Sequence, residues 1–122
     1  MPNLLQSTIR SATSLTSSYI AATTLTDCGR FNQLVLNLAY TKGSLTTLYV
    51  KIEFSNDNST FAQETKEDVS TGALTLYERS FTGTGNPQIS IPVSHQFIKV
   101  SVKGDSTQVD SSLAIEATLN DL

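Results

Sequence analysis

Strict alternation of apolar and polar side chains over residues 48–54 constrains this chain more than any other feature. Leu48, Val50, Ile52 and Phe54 fall on one side of an extended segment, and Tyr49, Lys51 and Glu53 on the other. A repeat of two is the repeat of the β pleat, so one face of such a strand must be covered and the other can meet solvent. The pattern recurs three times. Leu34, Leu36, Leu38 and Tyr40 alternate with Gln33, Val35, Asn37 and Ala39; Ile98, Val100 and Val102 alternate with Lys99, Ser101 and Lys103; Leu113, Ile115, Ala117 and Leu119 alternate with Ala114, Glu116 and Thr118. Segments with one apolar face each need a second layer of the same kind, which predicts an all-β, two-sheet antiparallel sandwich.

Weaker strands fill in the rest. Residues 19–25 read as a first strand ending at the Asp27-Cys28-Gly29 break. Ile89, Ile91 and Val93 alternate over 88–93, where Pro92 confines the strand to a sheet edge because proline has no N–H to donate. Residues 73–81 alternate as well, but Thr75, Tyr77, Arg79 and Phe81 or Leu74 and Leu76 serve equally well as the buried side. The acidic run at 62–72 reads as a loop with a short strand. Turn clusters at 41–44, 55–60, 82–87 and 104–107 separate these elements, for a total of seven to eight strands with no internal repeat.

Residues 1–18 have neither periodicity. They read as an extended N-terminal arm ahead of a sandwich domain over 19–122. Leu4, Leu5, Ile9 and Leu15 are the aliphatics by which such an arm docks on a neighbouring subunit; the plainer alternative is a partly ordered leader.

Composition narrows the function. Within 122 residues there is room for one core, and charged residues make up only 16%, with Ser and Thr in their place. That low fraction and the abundance of β-branched Thr favour strands over helix. The net charge of −3 and basic residues scattered along the chain argue against capture of nucleic acid, which needs clustered cations. A single cysteine, Cys28, rules out an internal disulfide. The start of the chain has no basic segment and no unbroken apolar run, so the expectation is a soluble protein made in a cytoplasm, with no membrane partner.

Candidate chemistry is sparse. Cys28 and the lone histidine, His95, are the one nucleophile–base pair on offer, and nothing in the local sequence supports it. One Cys and one His cannot close a zinc site. Asn56, Asp57, Asn58, Glu64, Glu67 and Asp68 supply oxygens for calcium but lack the spacing of a calcium loop, so they are expected as turn formers. Glu64 and Glu78 as paired carboxylates, Gly83-Thr84-Gly85 as a phosphate cradle and Asn58-Ser59-Thr60 as a glycosylation acceptor are each matched by residue type alone. No enzyme activity, metal or cofactor is expected.

Two segments carry a resemblance. Tyr49-Val50-Lys51-Ile52-Glu53-Phe54 followed by Ser55-Asn56-Asp57-Asn58-Ser59-Thr60-Phe61 resembles the strand, polar turn and aromatic of discoidin-like jelly rolls. Gln96-Phe97-Ile98-Lys99-Val100-Ser101-Val102 is similar to their later strand. The same segments, with a Thr-rich N-terminal region, look like small jelly-roll virion proteins of tailed bacteriophages, among them head decoration proteins. Discoidin-like domains have Trp after the turn and paired cysteines; Phe61 and one thiol stand here, which weighs against extracellular sugar or lipid binding.

The virion resemblance implies a jelly-roll-like sandwich and a structural role on the particle. Its partners would be the major capsid protein and copies of the chain itself, as a homotrimer on the lattice. The alternative reading is a carbohydrate-binding module on a phage tail or fibre, with Tyr77, Asn56 and Asn86 as contact residues.

Overall fold

The computed structural model describes residues 4–122. The described residues form eleven strands: β1 (Leu4–Leu15), β2 (Ile20–Ala21), β3 (Gln33–Thr41), β4 (Leu48–Ser55), β5 (Ala62–Gln63), β6 (Thr65–Glu67), β7 (Leu74–Leu76), β8 (Arg79–Phe81), β9 (Gln88–Pro92), β10 (Phe97–Gly104) and β11 (Gln108–Asn120). One turn of 3-10 helix, Cys28–Arg30, lies between β2 and β3.

One sheet has the order β1-β11-β3-β9 and the other β2-β10-β4-β5, with β8 also on β4; all of these pairings are antiparallel. The first strand lies beside the last, and the chain alternates between the two sheets except where β4 is followed by β5 and β8 in its own sheet. This is the wrapped order of a jelly roll, in which two interlocked Greek keys put consecutive strands on opposite layers.

The alternating segments form the central strands, as their periodicity requires. Leu34, Leu36, Leu38 and Tyr40 of β3, Leu48, Val50 and Ile52 of β4, Ile98, Val100 and Val102 of β10, and Leu113, Ile115, Ala117 and Leu119 of β11 are buried between the sheets. Phe54, the last of the β4 series, is only half-buried and packs at the rim. The register keeps each set in line: Val100 opposes Ile52, and Ile115 opposes Leu38. Each fully buried Leu, Ile and Val among them contributes about 1.5–3 kcal/mol by leaving water. Pro92 closes β9 at the free edge of its sheet, where a missing donor costs no ladder bond.

Turns are closed by aspartates. Asp105 Oδ1 accepts from the N–H groups of Thr46 and Thr47, at 3.0 and 3.1 Å, and ties two loops at one end of the sandwich. Asp110 accepts from the N–H and hydroxyl of Ser44. Between them Gly43 has φ +54°, and a Cβ there would stand 2.6 Å from the Asp110 carbonyl oxygen, so only glycine fits. At the other end Asp57 Oδ1 takes the N–H groups of Ser59 and Thr60 and the Ser55 hydroxyl, while Asn58 adopts φ +57°.

Three sequence expectations change. Residues 4–15 of the expected arm form a full strand on β11; the first three residues of that arm lie outside the described region. Their hydrogen bonds go to β11, and Ile9 and Leu15 face the core, so the domain includes this segment. The irregular sequence pattern reflects register shifts after Thr8, Arg10 and Thr13, which break the alternation that would otherwise have marked a strand.

The expected single strand at 73–81 is two strands, β7 and β8, belonging to different sheets. The strand count rises from seven to eight to eleven for a related reason. β5 and β8 lie along the same edge of β4, opposite Glu53–Phe54 and Leu48–Val50 respectively, and the β6–β7 hairpin leaves the sheet between them. Counting β5 and β8 as one interrupted strand, and setting the hairpin aside, leaves the eight positions of a jelly roll.

Candidate functional site

The β6–β7 hairpin is the most distinctive surface feature. Neither strand pairs with either main sheet, and every residue of both strands is exposed. Its ladder sets Thr65 against Leu76, Lys66 against Thr75 and Glu67 against Leu74. The tip is well formed. Asp68 Oδ1 accepts from the Ser70 N–H and hydroxyl, the Gly72 N–H donates to the Asp68 carbonyl at 2.7 Å, and Gly72 supplies φ +71°.

The base is clamped. Arg79 holds Glu64 through two contacts, Nε to Oε1 at 3.3 Å and Nη2 to Oε2 at 2.8 Å, and both side chains are largely screened from water. The Arg79 guanidinium also lies 4.6 Å from the centre of the Tyr77 ring, and Lys66 approaches the same ring at 5.4 Å. The Glu64 N–H donates to the Ile52 carbonyl and the Tyr77 N–H to the Glu64 carbonyl, so the first leg of the hairpin is anchored to β4 and the second leg to the first.

On this rigid mount sit Val69, Leu74 and Leu76, which are 98%, 71% and 65% exposed. A bare two-stranded hairpin is marginal in water. Held out by an anchored hairpin, these three residues form an exposed apolar surface.

The docking residues expected from the sequence divide. Leu4 and Leu5 are 61% and 48% exposed on β1, whereas Ile9 and Leu15 are buried in the chain's own core. Ile9 and Leu15 are therefore corrected from partner contacts to core residues. The sugar contacts also separate: Asn56 spends its side-chain oxygen on the Gln96 N–H, Tyr77 is covered by two cations at the hairpin base, and Asn86 lines a shallow depression on the β1-β11-β3-β9 sheet with Thr8, Asn37 and Glu116. The structure does not bring these three together.

The remaining candidates are spent on structure. The Cys28 loop does lie against the His95 turn, through the Cys28 N–H to the Gln96 carbonyl. The thiol, however, is fully buried, and loss of water pushes it up to about 11, away from the thiolate a nucleophile needs. His95 stacks on Phe54 with centroids 5.2 Å apart and shares a hydrogen bond with Ser94. Glu64 serves Arg79 and Glu78 accepts from the Tyr19 hydroxyl. Among the described residues no cluster of His, Cys, Asp or Glu is arranged to hold a metal ion, and no helix is long and apolar enough to cross a membrane.

Tertiary structure does gather cations that are scattered in sequence. Lys51 and Lys103 lie 4.6 and 4.8 Å from the centre of the Tyr19 ring, and Lys103 also reaches Tyr49. Lys99 lies 4.2 Å from the Phe61 ring, on the outer face of β10. Sequence reading missed this patch because its residues come from four separate segments.

No family model matches the chain, and no curated protein does. Among solved structures it is similar to the SPBc2 prophage-derived protein YomS, with a TM-score of 0.60 and 15% identity over 99% of this chain and 96% of that one. It is also similar to a chain from Bacillus endospore appendages that form disulfide-linked pili, with a TM-score of 0.49 and 11% identity over 100% and 91% of the two chains. At these identities the likeness is one of fold.

Proposed function

We propose that this protein is a non-enzymatic structural component of a phage particle, a decoration or stabilising protein that binds the lattice of the major capsid protein. The observation that carries the reading is the clamped β6–β7 hairpin, which holds Val69, Leu74 and Leu76 in water where a monomer gains nothing from them. A contact that covered them would remove apolar surface at about 25 cal/mol per Å2, a driving force for docking into a groove between capsid subunits. The end-to-end likeness to the fold of a prophage-derived protein supports the same assignment. The sandwich supplies rigidity and the hairpin supplies reach.

Sedimentation with assembled capsids of the encoding phage tests the proposal. The wild-type protein is expected in the pellet with the capsids. The triple variant Val69→Ser, Leu74→Ser, Leu76→Ser should stay in the supernatant with its circular dichroism spectrum unchanged. Wild-type protein that never pellets with capsids overturns the capsid reading, and a variant that pellets as well as wild type removes the hairpin as the contact.

A further inference from the structure

Sheet edges expose unpaired N–H and C=O groups, and proteins ordinarily blunt them with prolines, charges, bulges or covering segments. Three of the four edges here are treated in that way. β9 ends in Pro92, the edge beyond β4 is broken into the two- and three-residue strands β5 and β8, and β2 has only two residues. The fourth edge is β1. Its irregularities begin only after Thr8, and the Thr23 N–H covers the edge at Ile9 by donating to the Ile9 carbonyl at 2.9 Å. From Leu4 to Thr8 the strand is in unbroken register with Asn120–Glu116, and among the described residues no backbone hydrogen bond is made on its other side.

We infer that the Leu4–Thr8 edge pairs with the same edge of a second copy of this chain, antiparallel, joining two four-stranded sheets across a two-fold axis. A second copy of the chain meets no electrostatic barrier at this edge. Residues 4–9 carry no charge, so self-pairing brings no like charges together. The first charged residue, Arg10, is turned back onto the carbonyls of Leu113, Thr13 and Ser14. Pairing to β9 of a second copy meets Pro92 instead of a donor.

Geometry then sets the register. A two-fold axis normal to the sheet maps each face onto itself, so facing residues must share a face and their numbers must sum to an even value. Centred on the open window, Gln6 faces Gln6, Leu4 faces Thr8 and Leu5 faces Ser7. The half-exposed Leu4 and Leu5 gain cover from the second copy. The inference stands apart from the capsid reading, since it concerns free protein and its test uses no capsid. It also replaces the threefold assembly implied by the virion resemblance with a closed, self-complementary pair.

The test combines sedimentation velocity of the full chain with cysteine cross-linking. Wild type is expected as a concentration-dependent dimer. Gln6→Cys should form a disulfide-linked dimer under oxidation, because facing Cβ atoms across an antiparallel pair are about 4.5–5.5 Å apart. Thr8→Cys should not, since its two copies lie about 13 Å apart along the strands. Cys28 is buried and does not compete.

The double variant Leu4→Lys, Gln6→Lys, at exposed positions that leave the fold intact by circular dichroism, should raise the dimer dissociation constant about fivefold or more. A monomer at every concentration, a trimer, or equal cross-linking at positions 6 and 8 each overturns the inference.

Discussion

Leu15→Ala separates a strand from an arm. Leu15 is 1% exposed, and its N–H donates to the buried Ser111 hydroxyl at 2.9 Å, so its side chain sits at a fixed place in the core. Cutting a buried leucine back to alanine loses the transfer energy of the missing carbons and leaves a cavity, together costing about 2–5 kcal/mol. Ile9, 4% exposed and also in β1, should cost a similar amount, while Leu4→Ala should change stability by about 0.5 kcal/mol or less because its side chain is mostly in water.

Ile9 and Leu15 are six residues apart on an extended strand, about 20 Å, so the two losses should add. The double variant would then remove about 4–10 kcal/mol from a total stability on the order of 5–15 kcal/mol. Urea denaturation at one fixed protein concentration measures this. With a slope of ~2 kcal/mol per M, Leu15→Ala should lower the midpoint by about 1–2.5 M. A midpoint for Leu15→Ala indistinguishable from that of Leu4→Ala would refute the assignment of residues 4–15 to the core sheet.

Three further outcomes are expected. Asp57, Asp68, Asp105 and Asp110 all titrate below the ordinary carboxylate range, held down chiefly by the Thr60 N–H, the Ser70 hydroxyl, the Thr47 N–H and the Ser44 hydroxyl respectively. Their folded values lie below their unfolded ones, so the stability they add is complete above the unfolded range and lost as pH falls through the lowered values. Melting temperature should be flat from neutral to about pH 5 and drop below about pH 4, and a drop already complete at pH 6 would contradict this. The Cys28 thiol, pushed up to about 11 by burial, should react with a thiol reagent slowly in the native protein and at once in denaturant; fast native labelling would show that the core opens there. Gly43→Ala, forced into φ +54° against the Asp110 backbone, should cost more than about 1 kcal/mol by thermal unfolding, and a neutral result would mean the turn can be rebuilt.

The all-β sandwich was legible in the sequence because burial and pleat share one period. Where Leu34 to Tyr40, Leu48 to Ile52, Ile98 to Val102 and Leu113 to Leu119 alternate, no other local structure puts all the apolar groups on one side, and those residues are the core. Pro92 likewise announced an edge through its missing donor.

The exposed apolar hairpin was a different matter. Leu74 and Leu76 alternate as a core strand does, yet they stand in water, because the pattern records which side chains share a side and says nothing of what lies opposite. Ile9 and Leu15 were hidden by the opposite failure, since the register shifts in β1 erase the period while the fold still buries both side chains. Periodicity is a property of neighbours along the chain and determined the sandwich. Which strands lie at an edge, which hairpin leaves the sheet and which leucines remain uncovered depend on partners as far apart in sequence as Leu4 and Asn120, and tertiary structure alone decided them.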